Sequence, residues 1–382
     1  MISTSRLGRA GRLLRGVVGP GAVADTLGRL KGGAQKLGQT AALVADGMPP
    51  ELRKTFGALF AAAEPRPWAE VAPVLQELPA GLLADVEPVA FAAASLGQVH
   101  RGRLHDGREV AVKVLYPGVG DALRADLDNL AAAALPARVV RGGSAMLVGL
   151  RASLLDELDL RKEAAHAEAI ARALEPWPAL HVARPVASTE RVLVSELLHG
   201  PTLHAVLRPE GPGPREPAAV AELVVAAVFG PVFRAGILNA DAHPGNLILT
   251  EGGLGLGLGL VDFGAVAPVD DVPGLARGLD AFLAGRGTLE GLGIHAAALE
   301  AELLPMLRPL GPGAWDFAHD DLLERMAELK RRRPLAVREV PFAPGRLPVV
   351  RAVLGLHHAL RRLGVPFALG ESLARVRETA GR

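Results

Sequence analysis

The chain of 382 residues contains no cysteine, which excludes disulfides, thiolate catalysis and Cys-ligated zinc. Neither sign of charge is in excess. Against 42 Lys and Arg stand 41 Asp and Glu, a formal +1, so no global field draws the chain to nucleic acid and no such partner is expected. No stretch of about 18 uninterrupted apolar residues occurs, which argues against an integral transmembrane helix. An apolar signal-peptide core is also missing, because Arg6, Arg9, Arg12 and Arg15 interrupt every candidate. A cytoplasmic protein is expected on these grounds.

What remains is a globular composition, 49% hydrophobic and 22% charged, in a chain too long for one small core. Its length fits a two-lobed enzyme or two domains. The basic segment from Arg6 to Arg15 also carries Leu7, Leu13 and Leu14, a mixture suited to an anionic membrane surface. Glycines at 8, 11 and 16 weaken a helix there, and a frayed basic leader is the plainer reading. Peripheral contact with the inner face of a membrane is therefore left open.

Residues 1–80 read as mostly helical, with turns at Gly19-Pro20 and Pro49-Pro50. From Val86 to Leu115 the texture changes: two alternating apolar runs flank His105-Asp106-Gly107, a strong hairpin signal. A long charged amphipathic helix is expected from Leu150 to Leu174, and a short strand at 190–198. The Gly/Pro-rich stretch from Pro209 to Pro217 is the best boundary candidate. Apart from a hairpin near 247–262, the remainder is helical in pattern. The run Glu251–Gly264 is rich in glycine but lacks the Lys-Ser/Thr of a phosphate loop. Leucines alternating with glycines fit a strand with one buried face, the glycines marking close packing or compositional drift.

The strongest chemical signal is the pair "NADAHPGNLIL" and "LVDFG". Phosphoryl transfer from ATP needs a carboxylate to orient or deprotonate the acceptor hydroxyl, plus an amide oxygen and a second carboxylate to hold magnesium. Asp241, Asn246 and Asp262 supply these groups in that order, with Pro244-Gly245 making a tight turn between the first two. A capped turn with satisfied Asp and Asn is the plainer alternative. Lys113, in "VAVKVL", sits among β-branched residues and must snorkel or meet an anion; alone, a strand lysine is usually a solvated edge charge. In "DELDLRKEAAHAEA", Asp159 and Glu163 are four apart and share a helical face, whereas Glu157 points elsewhere. A solvated helix laced by pairs such as Glu157–Arg161 is the common case. Given Lys113, Glu163 is favoured as its ion-pair partner.

These residues fall in an order that resembles the UbiB/AarF/ADCK atypical kinases. "QKLGQ" (35–39) resembles their Lys-x-Gly-Gln motif, and "AFAAASLGQVHRG" (90–102) the alanine-rich loop they carry where ordinary kinases have glycines. Glu157-Leu158-Asp159 matches their Glu-x-Asp element, and Glu163-Ala164-Ala165 the residues after it. The Asp-x-His-Pro-Gly-Asn loop alone also resembles aminoglycoside and choline kinases.

The resemblance implies an α+β, bilobal protein-kinase-like fold: a small antiparallel β-sheet N-lobe (81–199), a mainly helical C-lobe (200–382) and an N-terminal helical extension (1–80). It implies ATP or ADP with Mg2+ bound between lobes, Asp241, Lys113 and Glu163 catalytic, and Asn246 and Asp262 on the metal. Ala92, Ala93, Ala94, Ser95, Lys113, Glu196 and Leu198 would contact nucleotide, the last two at the hinge. Lys36 and Gln39 would reach over the acceptor side, where Lys36 meets Glu157 or Asp159. The alanines should form a less mobile cover than glycines, since an alanine at positive φ costs on the order of 1–2 kcal/mol. One departure is Asn239, two before Asp241, where many kinases place His. The setting implied is isoprenoid-quinone or lipid metabolism, with a quinone precursor or lipid as partner. A small-molecule phosphotransferase like the aminoglycoside kinases and a non-catalytic nucleotide-binding module are the two rivals.

Overall fold

The computed structural model describes residues 65–94, 96–124, 155–208, 210–252, 255–333 and 346–381. Two compact units divide the chain. The first runs to Arg161 and regains Val186–Ser195; the second holds Lys162–Pro185 and everything from Glu196 onward. The segment Lys162–Pro185, which the boundaries at 81 and 199 put with the sheet, thus groups with the second unit.

In the first unit a short helix α1 (Trp68–Val71) and a 3-10 turn (Ala72–Glu77) lead into β1 (Leu83–Ala93), β2 (Gly97–Leu104) and β3 (Glu109–Leu115). The turn predicted at Asp106-Gly107 closes the β2–β3 hairpin, with Gly107 at φ 90° and its N–H bonded to the Leu104 carbonyl at 3.0 Å. Val110, Val112 and Val114 alternate inward and pack with Val71, Val192 and Val194 into the unit's core. β-branched residues at every second position suit a sheet with one buried face, so the strand forms where this valine stripe is covered.

Strand β2 is tied to α1 and to the residue that leads into it by buried polar groups. Gln98 accepts from the Arg66 N–H at 2.7 Å and donates back to the Arg66 carbonyl at 3.2 Å. His100, beside it, packs against Trp68, the ring centroids 4.8 Å apart and the planes tilted by 58°.

The predicted helix from Leu150 to Leu174 is interrupted. Among the described residues, 155–156 are helical, Glu157 and Leu158 lie in a turn, and α2 begins only at Leu160 and ends at Ala173. The cause is local: Asp159 accepts the Arg161 N–H at 3.1 Å, the helix-start geometry an Asp favours. Asp159 and Glu163 are therefore not one turn apart on a continuous helix. Arg161 pairs with Asp159 rather than Glu157, at 2.8 and 2.9 Å through Nε and the guanidinium nitrogen beyond it.

After α2, β4 (Leu180–Val182), β5 (Pro185–Ser188) and β6 (Val192–Glu196) follow. The last two complete a five-stranded sheet in the order β1-β2-β3-β6-β5. The second unit continues with α3 (Leu203–Val206), α4 (Pro217–Ala235) and β7 (Ile237–Asn239). Then come the hairpin β8 (Leu247–Gly252) and β9 (Gly255–Leu260), and β10 (Val266–Pro268). Helices α5 (Val272–Leu283), α6 (Glu300–Leu303), α7 (Leu322–Arg332), α8 (Arg346–Leu363) and α9 (Leu369–Ala380) complete it. A two-residue pairing of Trp315-Asp316 with Pro366-Phe367, too short to signal itself, joins the helices.

Among the described residues α4 alone has the length and apolarity to cross a membrane. Its residues from Val224 to Val232 are all buried, and it packs against α8 and α9 as the unit's central helix. Gly236, at φ 64°, ends it in a left-handed cap and turns the chain into β7.

Two of the three glycines of β9 mark close packing. A Cβ at Gly257 would lie 2.5 Å from Thr250 Oγ1, and one at Gly259 2.7 Å from Leu198 Cδ1.

Candidate functional site

The second unit gathers Asp241, Asn246 and Asp262. β7 pairs antiparallel with β10, Asn239 opposite Val266, so the residues after β7 and those before β10 are brought side by side. Between them the chain runs through the 3-10 turn Pro244–Asn246 into the β8–β9 hairpin and returns at Asp262. Proline at the start of that turn costs no hydrogen bond, because an opening N–H has no partner within the turn. His243 Nδ1 accepts the Gly245 N–H at 3.0 Å and caps it.

Asp241 is buried, 5% exposed. Its N–H donates to Asn239 Oδ1 at 3.0 Å, and its carbonyl accepts from Asn246 Nδ2 at 3.0 Å. That second bond orients the Asn246 amide. With Nδ2 directed to the loop, Oδ1 is the amide's remaining end, a hard oxygen donor of the type magnesium takes.

Asp262 adopts φ 67°, the left-handed region, at a cost of roughly 1–2 kcal/mol for a residue with a Cβ. Its carbonyl accepts from Asn239 Nδ2 at 3.1 Å, and its Oδ1 accepts from the Gly264 N–H at 3.3 Å. Phe263 beside it is buried, and its carbonyl lies 3.0 Å from His166 Nδ1 on α2. Glu163, one turn before His166, is buried as well, in the first turn of that helix.

Of the two hinge candidates, Glu196 uses both its N–H and its carboxylate on Arg184. The N–H donates to the Arg184 carbonyl at 3.0 Å, and Oε2 accepts the Arg184 N–H at 3.3 Å. Leu198 rests over Gly259, and the two candidates line a cavity of about 330 Å³ with Trp177 and His181.

In the first unit the alanine segment is the end of β1, not a loop apart from the sheet. Ala92 pairs with Val99, Ala93 with Gln98, and the Ala94 N–H donates to the Gly97 carbonyl at 3.0 Å. Lys113 pairs with Val99 from the other side, so Ala92, Val99 and Lys113 form one row across three strands. That row faces away from the core stripe of Val110, Val112 and Val114. Glu157 and Asp159 lie in the turn before α2. Lys36, Gln39 and Ser95 lie outside the described residues.

In the sequence Asn239 stands out only as a departure from the usual His, and His166, Gln98 and His100 carry no assignment there. His166 was within reach of one, three residues after Glu163 and hence on the same helical face. Gln98 and His100 alternate with Val99 in a strand, which would place two polar residues on its inner face.

The sheet, the helical unit and the loop geometry define a kinase-like α+β fold. A solved structure of the Mycobacterium tuberculosis protein Rv3197, in complex with erythromycin, is similar over 96% of this chain and 95% of its own, with TM-score 0.57 and 26% identity. Residues 59–273 match the ABC1 atypical kinase-like domain, and the chain belongs to that family, the one its motifs resemble under the UbiB/AarF/ADCK names. Among curated relatives, the rat mitochondrial atypical kinase COQ8B is 36% identical over 47% of this chain and 36% of its own length. A chloroplastic aarF domain-containing protein kinase of Arabidopsis thaliana is 33% identical over 67% of this chain and 49% of its own. The probable protein kinase UbiB of Vibrio atlanticus is 34% identical over 43% and 31%. The chain thus spans between about a third and a half of the length of these curated relatives.

Proposed function

We propose that this chain binds ATP or ADP with Mg2+ and acts as an atypical kinase or ATPase in isoprenoid-quinone or lipid metabolism. The observation that carries the reading is the hydrogen-bonded unit in which Asn239 bonds to both Asp241 and Asp262 and Asn246 bonds to Asp241. A carboxylate for the acceptor hydroxyl is thereby fixed relative to an amide oxygen and a second carboxylate, the groups phosphoryl transfer requires.

The donor set fits magnesium, since Asn246 Oδ1 and the Asp262 carboxylate are hard oxygen ligands. These two residues would hold the ion, which when bound neutralises charge on the phosphate oxygens. Asp241 orients the acceptor hydroxyl or water and takes its proton. Lys113 supplies a counter-charge for phosphate, and buried Glu163 serves as the carboxylate of the lysine-fixing type. Ala92 to Ser95 cover the phosphates, and Glu196 and Leu198 provide the adenine-binding segment. Lys36, Gln39, Glu157 and Asp159 regulate access to the acceptor side. The quinone or lipid setting rests on the UbiB-like and COQ8-like resemblance, and a peripheral membrane association from the cytoplasmic side on the basic N-terminus.

ATP hydrolysis with and without anionic liposomes and a phenolic quinone precursor tests this reading. Magnesium-dependent hydrolysis stimulated several-fold by either addition is the expected result. Phosphate transfer to an aminoglycoside or to choline, with no response to lipid or phenol, would overturn it in favour of a small-molecule kinase.

A further inference from the structure

Asn239 takes no chemical role in the transfer proposed above, yet its side chain bonds to both acidic segments. It does so alongside the backbone bonds from the Ala240 N–H to the Ala265 carbonyl and from the Val261 N–H to the Asn246 carbonyl. It stands at the end of β7, 3% exposed, with β10 opposite it. Its Oδ1 accepts from the Asp241 N–H and its Nδ2 donates to the Asp262 carbonyl. The acceptor of that second bond belongs to one of only two non-glycine residues at positive φ among those described. A left-handed Asp persists where its surroundings hold it there, and the Gly264 N–H contributes as well, from the side-chain end.

We propose that Asn239 is a positioning residue that holds Asp262 in its left-handed conformation and so sets the affinity of the site for a divalent cation. The proposal rests on the magnesium–nucleotide reading above. An amide suits the task because it carries a donor and an acceptor at fixed separation and ionises at neither end. The main chain at 262 determines where the carboxylate projects. Releasing its carbonyl lets φ return to negative values and redirects the carboxylate.

The substitutions Asn239→Asp and Asn239→Ala separate the two bonds. Aspartate keeps the acceptor for the Asp241 N–H but sets an oxygen against the Asp262 carbonyl; alanine removes both bonds. Asn239→His, which keeps a ring N–H to donate, is the conservative variant.

Two measurements decide the matter. Calorimetric titration with ATP, in Mg2+ and then in EDTA, should show Asn239→Asp and Asn239→Ala weakened about tenfold or more in Mg2+ but within about twofold of wild type in EDTA, with Asn239→His recovering part of the loss. Hydrogen exchange on the nucleotide-free proteins should be about tenfold faster over 261–266 in Asn239→Asp and unchanged in the first unit. An Asn239→Asp protein with wild-type affinity in Mg2+, or equal losses with and without the ion, overturns the proposal. Wild-type protein that binds no nucleotide would sink the functional reading instead. The exchange rates would then decide alone, and equal rates over 261–266 would overturn the positioning role.

Discussion

His100 Nε2 lies 2.8 Å from the side-chain nitrogen of Gln98, both residues buried, with the His100 ring against Trp68. Its other nitrogen, Nδ1, lies 2.8 Å from the Glu87 carbonyl, which can only accept. Nδ1 therefore carries the proton, and Nε2 takes the hydrogen bond from the Gln98 amide. A second proton on the ring would set two donors against each other.

That arrangement makes stability depend on pH. Burial holds the pKa of His100 below the ordinary 6.5, only partly offset by the Glu87 carbonyl, and burial lowers His357 in the second unit despite the neighbouring Asp320. As pH falls below 6.5 the unfolded chain binds these protons first, so the stability present above that pH is lost on acidification. The slope is at most about 1.4 kcal/mol per pH unit for each group. Melting temperatures measured from pH 8 to pH 5 should fall below about pH 6.5. The fall should be shallower in His100→Gln, and an equal fall in that variant would contradict the assignment.

Lys113 faces away from the valine core, in a row with Ala92 and Val99. Lys113→Ala leaves that core intact but takes the counter-charge from the buried carboxylate of Glu163 proposed as its partner, at a cost in stability. Affinity for ATP should also fall about tenfold, because a phosphate loses its counter-charge. Titration calorimetry on both proteins checks this. Equal affinities would mean that Lys113 is only a sheet-surface charge.

Gly97 opens β2 where a Cβ would lie 2.1 Å from the Val114 carbonyl oxygen, a backbone atom that cannot step aside. Gly97→Ala should therefore push β2 and β3 apart and cost about 1–3 kcal/mol or more, by overpacking. Urea denaturation measures it. Gly107, with nothing within 4 Å of its added Cβ but φ at 90°, should cost only about 1 kcal/mol as alanine.

The hairpins were legible in the sequence because their signals are local: Asp106-Gly107 between alternating runs, and leucines alternating with glycines in β9. The order Asp241, Asn246, Asp262 was legible for a different reason, since each residue type at that spacing has a chemical task. Asn239 stands out in the sequence only as a departure from the usual His, because its bond to a carbonyl 23 positions away is a contact that no periodicity reports. The break before α2 was missed because the charges of "DELDLRKEAAHAEA" fit helical spacing throughout. An Asp side chain capturing the N–H two residues on wins over that pattern locally. Glu196 reads as a hinge residue by position, and the bonds of its N–H and carboxylate to Arg184, twelve residues earlier, are contacts that no local pattern reports.

The central claim, that Asp262 binds a cation holding nucleotide, is tested most directly by thermal shift on Asp262→Asn. Asparagine tolerates the left-handed conformation, so the substitution removes charge while keeping the backbone. Wild type should be stabilised by Mg-ATP, by about 2.7 kcal/mol at a hundredfold excess over Kd, and the variant should show no magnesium-dependent shift. A shift in Asp262→Asn as large as in wild type would contradict the account.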